Sequence, residues 1–363
     1  MIITKVITIL MAVFFVLGAI DRLIGNRFGL GKEFERGFMI IGPMTLSILG
    51  LLMLAPVLAE FLQKLISPVF GLIGVDTGMF PGMLMSSEIS YPLAVKMTQN
   101  ASLALFGGII VGSCMGAPIS FSIPLATGLI DKSDYRHFSV GILSGYIFDP
   151  VACFIGGLLM GLEPLGILIN LIPVVVVAII LIVGLLFIPQ IMIKLFRWFS
   201  RLLMAVITVG LVACAVETLT GLVLIPGLAS ASDSFKTIGT ITISVGGALP
   251  LLLVLRKVLD RPLKKLTAVL RVNEITTLSI MLGLTTLVPG YSSYGEMNGR
   301  GKVLFAALSA SGIPMLGVHL GFAMSTDASM IMPMLVSRVC AGLFAACSVY
   351  FFSPRLLRPE ELE

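Results

Sequence analysis

Glu88 stands in the run Ser86-Ser87-Glu88-Ile89-Ser90-Tyr91-Pro92, a carboxylate among hydroxyls inside an otherwise apolar segment at 71–98. An ionisable group at membrane depth is expensive unless paired or hydrated, about 2.5–3.5 kcal/mol even on insertion scales, and is a functional hypothesis by default. A carboxylate ringed by hydroxyls suits a small cation, and a primary ammonium in particular, because its N–H groups seek oxygen acceptors. The competing reading is a structural ion pair with Arg338 or Lys96. A second polar run, Pro289-Gly290-Tyr291-Ser292-Ser293-Tyr294-Gly295-Glu296, interrupts the apolar segment 272–298 and adds Ser292, Ser293 and Tyr294 to the candidates. Glu296 lies near Arg300 and Lys302, so a solvated ion pair is its expected role. His319, in Gly317-Val318-His319-Leu320-Gly321-Phe322, either relays a proton near neutral pH or packs through a hydrogen bond. Ser120 and Ser122 complete the substrate-binding candidates. Asp149, followed by Pro150, either approaches a central cavity or caps a kink.

Other chemistries lack their residues. The chain has two histidines and five cysteines, each cysteine inside an apolar run, so no metal site, disulfide framework or catalytic triad assembles. No GxxxxGK[ST] phosphate loop occurs, and no cofactor is implied. An aromatic cage for a quaternary ammonium needs several converging rings, whereas the sole tryptophan, Trp198, falls at a helix end.

These residues must be positioned by membrane-spanning helices. Of 363 residues 57% are hydrophobic and only 12% charged, with a mean hydropathy of +1.08, against about 25% charged in soluble domains. That excludes a soluble enzyme. The net charge of +5 reads as loop lysine and arginine facing anionic lipid and cytoplasm, not as a nucleic-acid surface. Apolar stretches at 4–25, 38–66, 102–129, 137–161, 164–190, 201–226, 237–255, 302–324 and 328–352 predict nine spanning helices. The first carries Asp21-Arg22 at its end and no small-residue cleavage pattern, so it reads as a span rather than a signal peptide.

The segments 71–98 and 272–298 either cross once, unwound, or dip in and return. Backbone that leaves the helix at membrane depth must be covered by protein or water, so both belong inside the bundle. If both are re-entrant, nineteen lysines and arginines collect on one face, Arg256, Arg261, Lys264 and Lys265 among them, against four on the other: Lys5, Lys64, Lys96 and Lys236. If both cross, the split falls to about thirteen against ten. The hairpin topology is therefore expected, with the N-terminus outside and the C-terminus cytoplasmic.

The expected fold is thus an all-α integral membrane protein: about nine transmembrane helices plus two re-entrant helical hairpins arranged as an inverted repeat. One transport domain fills residues 1–363, its repeats at about 1–161 and 201–352 joined by the helix at 164–190. A 200-residue offset pairs Tyr91 with Tyr291, Met97 with Met297, Gly112 with Gly312 and Met115 with Met315. Gly108, Gly112 and Gly116 share one helix face at four-residue spacing, which lets another backbone approach closely. The first hairpin is the nearest candidate to press there.

Asp21-Arg22, Met79-Phe80-Pro81-Gly82, Phe121-Ser122-Ile123-Pro124, Arg300-Gly301-Lys302-Val303-Leu304 and His319-Leu320-Gly321-Phe322 follow one another in an order that resembles the ethanolamine permease (EutH) family. Ala55-Pro56-Val57-Leu58-Ala59 and Met332-Pro333-Met334-Leu335-Val336 extend the resemblance over almost the whole chain. It implies import of ethanolamine, for breakdown to acetaldehyde and ammonia in separate bacterial microcompartments, across the inner membrane. Where the family pattern has an acid followed by Met-Gly-Gly, this chain has Glu88-Ile89-Ser90-Tyr91, and Val318 replaces the aspartate of a Gly-Asp-His-Leu-Gly stretch. Ser292-Ser293-Tyr294-Gly295-Glu296 replaces a tip richer in amides and methionine.

The expected function is a permease for ethanolamine or a related small amine, working in the lipid bilayer without nucleic acid. Glu88 would hold the ammonium, serines and tyrosines of both tips with Ser120 and Ser122 would serve the hydroxyl, and His319 would line the cavity. A carrier of choline or a nucleoside is the alternative, and an intramembrane enzyme a more distant one. Self-association into a homo-oligomer stays open.

Overall fold

The computed structural model describes residues 2–362; the side chains of 2–4, 256, 259–261, 263–268, 359 and 362 lie outside the described set. Arg256, Arg261, Lys264 and Lys265, which enter the charge count, are therefore outside it. Among the described residues the secondary structure is helical, with no strand. Seven helices are long and apolar enough to span a bilayer: Lys5–Leu23, Leu30–Leu72, Lys132–Leu159, Pro164–Phe187, Pro189–Thr220, Ala231–Leu255 and Ala328–Leu356. Ala101–Gly116 and Pro118–Leu129 make an eighth if counted as one span, bent by 43°.

One expected span differs. The stretch 302–324 is not one helix but two, Gly299–Ser311 and Val318–Thr326, separated at 312–317. Gly312, Pro314 and Gly317 explain the break, since proline lacks an N–H and glycine weakens a helix interior. Hydropathy alone does not register such an interruption.

Each long helix hides one stripe and shows the rest. Along Pro164–Phe187 the buried Ile167, Leu171, Val174, Ala178, Leu181 and Leu185 recur at helical spacing, while Leu168, Val175, Ile179 and Val183 are exposed. Large apolar side chains outside the bundle belong against lipid. At the end of the first helix the Asp21 carboxylate accepts the N–H groups of Phe28 and Gly31, each at 2.9 Å, and so closes the turn into the second.

The interrupted segments each return to where they start. In the first, the helix Met79–Leu84 is followed by an extended Met85 and by the helix Ser87–Met97. The Thr98 hydroxyl donates to Asp76 Oδ2 at 2.6 Å, and Thr77 donates to the Met97 carbonyl, which ties the ends together. In the second, Glu274–Gly283 is followed by a turn at 284–287 and by Val288–Ser292 and Tyr294–Glu296. Its ends are tied by Asn273 Nδ2 donating to the Glu296 carbonyl at 2.9 Å and Asn298 Nδ2 donating to the Arg271 carbonyl at 3.2 Å. The second turn therefore lies at Thr285-Thr286, not in the polar run 292–296, because the chain reverses before proline starts the returning helix.

Asn298 also caps Gly299–Ser311, its Oδ1 accepting the Gly301 N–H at 3.1 Å. Loss of such a cap costs about 1 kcal/mol. Asn298→Ala should lower the thermal midpoint of the detergent-solubilised protein. Asn298→Asp, which keeps the acceptor, should restore part of the loss.

At the far end Glu361 docks the C-terminal turn. Its Oε1 lies 2.7 Å from Arg136 Nη1 and its Oε2 accepts the Arg358 N–H at 2.7 Å. The Arg358 N–H foremost, with Arg136 and His137 adding their charge, holds the carboxyl below the usual carboxylate range despite some desolvation. A depressed folded value stabilises docking above the unfolded value, about 4.3, and that contribution disappears as pH falls through the folded one. Protease release of the C-terminal turn should therefore rise in acid, and Glu361→Gln should show high release at every pH.

Candidate functional site

The first hairpin is held in place by glycines. An added Cβ on Gly108 would stand 2.5 Å from Tyr91 Cα, and one on Gly112 would strike Ser90 Oγ and lie 3.1 Å from Ser87 Cα. One on Gly116 would meet the backbone of Met85 and Gly82. The small-residue face seats the hairpin turn, as its spacing leads one to expect. Along 106–116 and 118–122 this helix is wound in π-helical turns, a form that recurs at functional sites.

Glu88 lies in the first turn of Ser87–Met97 and is 3% exposed. Its Oε1 is 2.7 Å from Nδ1 of His319, which is 8% exposed. The Ser87 hydroxyl lies 2.9 Å from the same nitrogen. The contact with Glu88 is close but poorly aligned, so Oε1 is left with no hydrogen-bond partner. Neither Arg338 nor Lys96 is in ion-pair contact with Glu88. His319 stands near the start of Val318–Thr326, just past the break at 312–317, and Tyr91 and Phe322 rings meet edge to face at 6.2 Å beside it.

The other serines divide. Ser120 Oγ accepts the Ser86 N–H at 3.1 Å and donates to the Gly116 carbonyl, so it joins the hairpin turn to the bent helix. Ser90 donates to the Gly108 carbonyl at 2.6 Å, clamping the hairpin. Ser122 is buried in the same π-helical stretch.

Ser292, Ser293 and Tyr294 are not assembled with Glu88. They lie on the returning arm of the second hairpin, towards its tied base. Tyr294 donates to the Lys302 carbonyl at 2.9 Å and, with Tyr291, Phe138 and Phe305, forms an aromatic cluster. Lys302 pairs with Asp134 at 2.6 Å rather than with Glu296, and Arg300 sits over the Tyr350 ring.

The second turn instead meets the broken helix at the segment leading to His319. Leu316 N donates to the Leu284 carbonyl at 3.0 Å, and a Cβ on Gly317 would lie 2.5 Å from the Thr285 carbonyl oxygen. Thr285 and Thr286 were passed over by the sequence reading, although Thr286 falls opposite Ser86 at the 200-residue offset. The cavity of about 700 Å³ near Lys132, Arg136, Lys194 and Arg197 holds none of these residues.

Ser87, His319 and Glu88 contain the side chains of a hydrolytic triad but not its geometry. A triad base takes the nucleophile's proton on one ring nitrogen and is oriented by the acid through the other. Here serine and glutamate both address Nδ1.

Long apolar helices packed around two interrupted segments, with a buried carboxylate beside one turn, define a multi-pass membrane protein. The family model described as "Ethanolamine utilisation protein, EutH" matches residues 3–352, and the chain belongs to that family. It is 38% identical over 357 residues to a probable ethanolamine permease EutH of Listeria monocytogenes, covering 98% of this chain and 96% of the relative. It is 35% identical over 382 residues to the protein of the same name in Salmonella typhimurium, covering 94% of each. The uncharacterized protein YxeR of Bacillus subtilis is 35% identical over 355 residues, covering 98% of this chain and 96% of the relative. No solved structure matches the chain.

Proposed function

We propose that this chain is a permease importing ethanolamine, or a closely related small amine, across the bacterial inner membrane. The observation that carries this reading is Glu88 Oε1, buried at the first hairpin turn and lacking an aligned donor. A protonated primary amine supplies such donors, and its charge compensates the carboxylate. Ser86 and Ser87 in the turn, with Ser120 bonded to it from the bent helix, would serve the hydroxyl. His319 holds Glu88 in the empty carrier and yields when the ammonium arrives. A quaternary ammonium has no N–H to offer, which disfavours choline.

Both interrupted segments are read as re-entrant, the first from outside and the second from the cytoplasm. The ties Asp76–Thr98 and Asn273–Glu296 support this, as does the nineteen-to-four charge asymmetry. The N-terminus is then outside and the C-terminus cytoplasmic. An inverted repeat of about 1–161 and 201–352 accounts for the resemblance between hairpins: Ser90 bonds to Gly108 in one, Tyr291 to Ser309 in the other. Rocking of one repeat against the other would expose Glu88 alternately to each side.

The test is counterflow in proteoliposomes preloaded with unlabelled ethanolamine. Entry of labelled ethanolamine, inhibited by ethanolamine outside but not by choline or uridine, is expected. Inhibition by choline or uridine, or no entry, would contradict the assignment.

A further inference from the structure

A second buried acid lies apart from the Glu88 turn. Asp149 stands where Lys132–Leu159 is interrupted at 147–148. It is 0% exposed, and neither carboxyl oxygen has a hydrogen-bond partner. Ser311 Oγ and Arg338 Nε are likewise buried without a partner. Ser311 ends Gly299–Ser311, beside the other helix break, and the two interrupted helices touch there: a Cβ on Gly145 would lie 2.7 Å from Ser311 Oγ. Arg338 bonds to the Ser113 carbonyl instead of pairing with Asp149. Three buried side chains with unpartnered polar atoms thus lie around the crossing of two broken helices.

The groups acting on Asp149 come from each side. Ser311 belongs to Gly299–Ser311, Arg338 to Ala328–Leu356 and Cys114 to the π-helical stretch, while Tyr146 and Cys153 flank Asp149 in its own chain segment. Pro164–Phe187, packed alongside, brings no titratable side chain. Arg338 reaches both neighbourhoods: its guanidinium meets the Ser113 carbonyl, next to the Gly112 face that seats Ser87, and its own carbonyl lies 3.6 Å from where a Cβ on Gly312, next to Ser311, would stand. A guanidinium in that position compensates only one of two negative charges.

We propose that Asp149 holds a proton that leaves when an amine cation binds at Glu88, so that one proton is exchanged for each amine bound. With its proton, Asp149 is neutral, while Arg338 offsets Glu88. When the ammonium neutralises Glu88, Arg338 is free to stabilise an ionised Asp149, and the proton departs to water. Cation and proton are mutually antagonistic, and the antagonism is reciprocal because both bind the same linked charges. A release of one proton per amine makes amine affinity rise about tenfold per pH unit over the range in which the proton is held.

The assignment deepens the permease reading and rests on it for the amine. The purified full chain is mixed with ethanolamine in weakly buffered detergent solution containing a pH dye, with binding followed by calorimetry. Wild type should release one proton per ethanolamine bound. Asp149→Asn should bind ethanolamine and release none, with the tenfold-per-unit pH dependence gone. Release that persists in Asp149→Asn would overturn the proposal. Infrared spectroscopy of the wild type at neutral pH provides an independent reading, since a protonated carboxyl band should be present and should vanish in Asp149→Asn. A band unchanged by the substitution would refute the proton on Asp149. A wild type that shows the band yet binds no ethanolamine would refute the amine linkage through failure of the permease reading itself.

Discussion

Glu88→Gln should abolish ethanolamine counterflow while leaving the protein folded. Glutamine keeps the shape and an oxygen that can face His319, but not the charge that compensates an ammonium. Removing one partner of a buried, hydrogen-bonded charge pair costs about 2–5 kcal/mol, equivalent to binding weakened on the order of thirtyfold or more. The thermal midpoint should change little, because glutamine fills the same volume and removes a buried carboxylate whose desolvation is costly. Glu88→Asp should retain partial exchange. Full exchange by Glu88→Gln would remove the carboxylate from substrate binding and return it to a packing role.

Gly116→Val should cause the largest structural loss. A Cβ at Gly116 meets backbone atoms of the hairpin turn, Met85 C at 2.5 Å and Gly82 O at 2.6 Å, rather than the end of a flexible side chain. Backbone cannot give way without dislodging the turn that carries Glu88. Overpacking of this kind costs about 1–3 kcal/mol and at times more. The expected result is a sharp fall in monodisperse, folded protein and in exchange. Gly128→Val on the same bent helix, where nothing lies within 4 Å of an added Cβ, is the control and should behave as wild type. Equal behaviour of the two variants would mean that the glycine face does not seat the hairpin.

Much of this arrangement was readable from residue types. Seven of the nine apolar stretches correspond to candidate spans because length and hydropathy suffice to identify a helix that lipid can accept. The glycine spacing pointed to the hairpin's seat because small residues at every fourth position let another backbone approach closely. Which face of Pro164–Phe187 is buried was not readable, since it is apolar all round and lipid removes the polar side that reveals amphipathicity. The second turn was misplaced because polarity drew attention to Ser292-Ser293-Tyr294, whose hydroxyl-bearing neighbourhood serves packing and the hairpin base. Thr285-Thr286 carried a weaker signal in an apolar setting. The approach of Ser87 and Glu88 to His319 is a tertiary fact between residues 232 apart in the case of Ser87, and no local pattern encodes it.

The most direct test is cysteine accessibility in intact cells, with single cysteines placed in a cysteine-free background at Ile73, Gln99, Glu274 and Glu296. Two pairs of ends should emerge on opposite faces: an impermeant reagent should label positions 73 and 99 from outside, and positions 274 and 296 only after the membrane is opened. Labelling that separates 73 from 99, or 274 from 296, across the bilayer would show that a segment crosses, and the Glu88 site built on two opposed hairpins would fall.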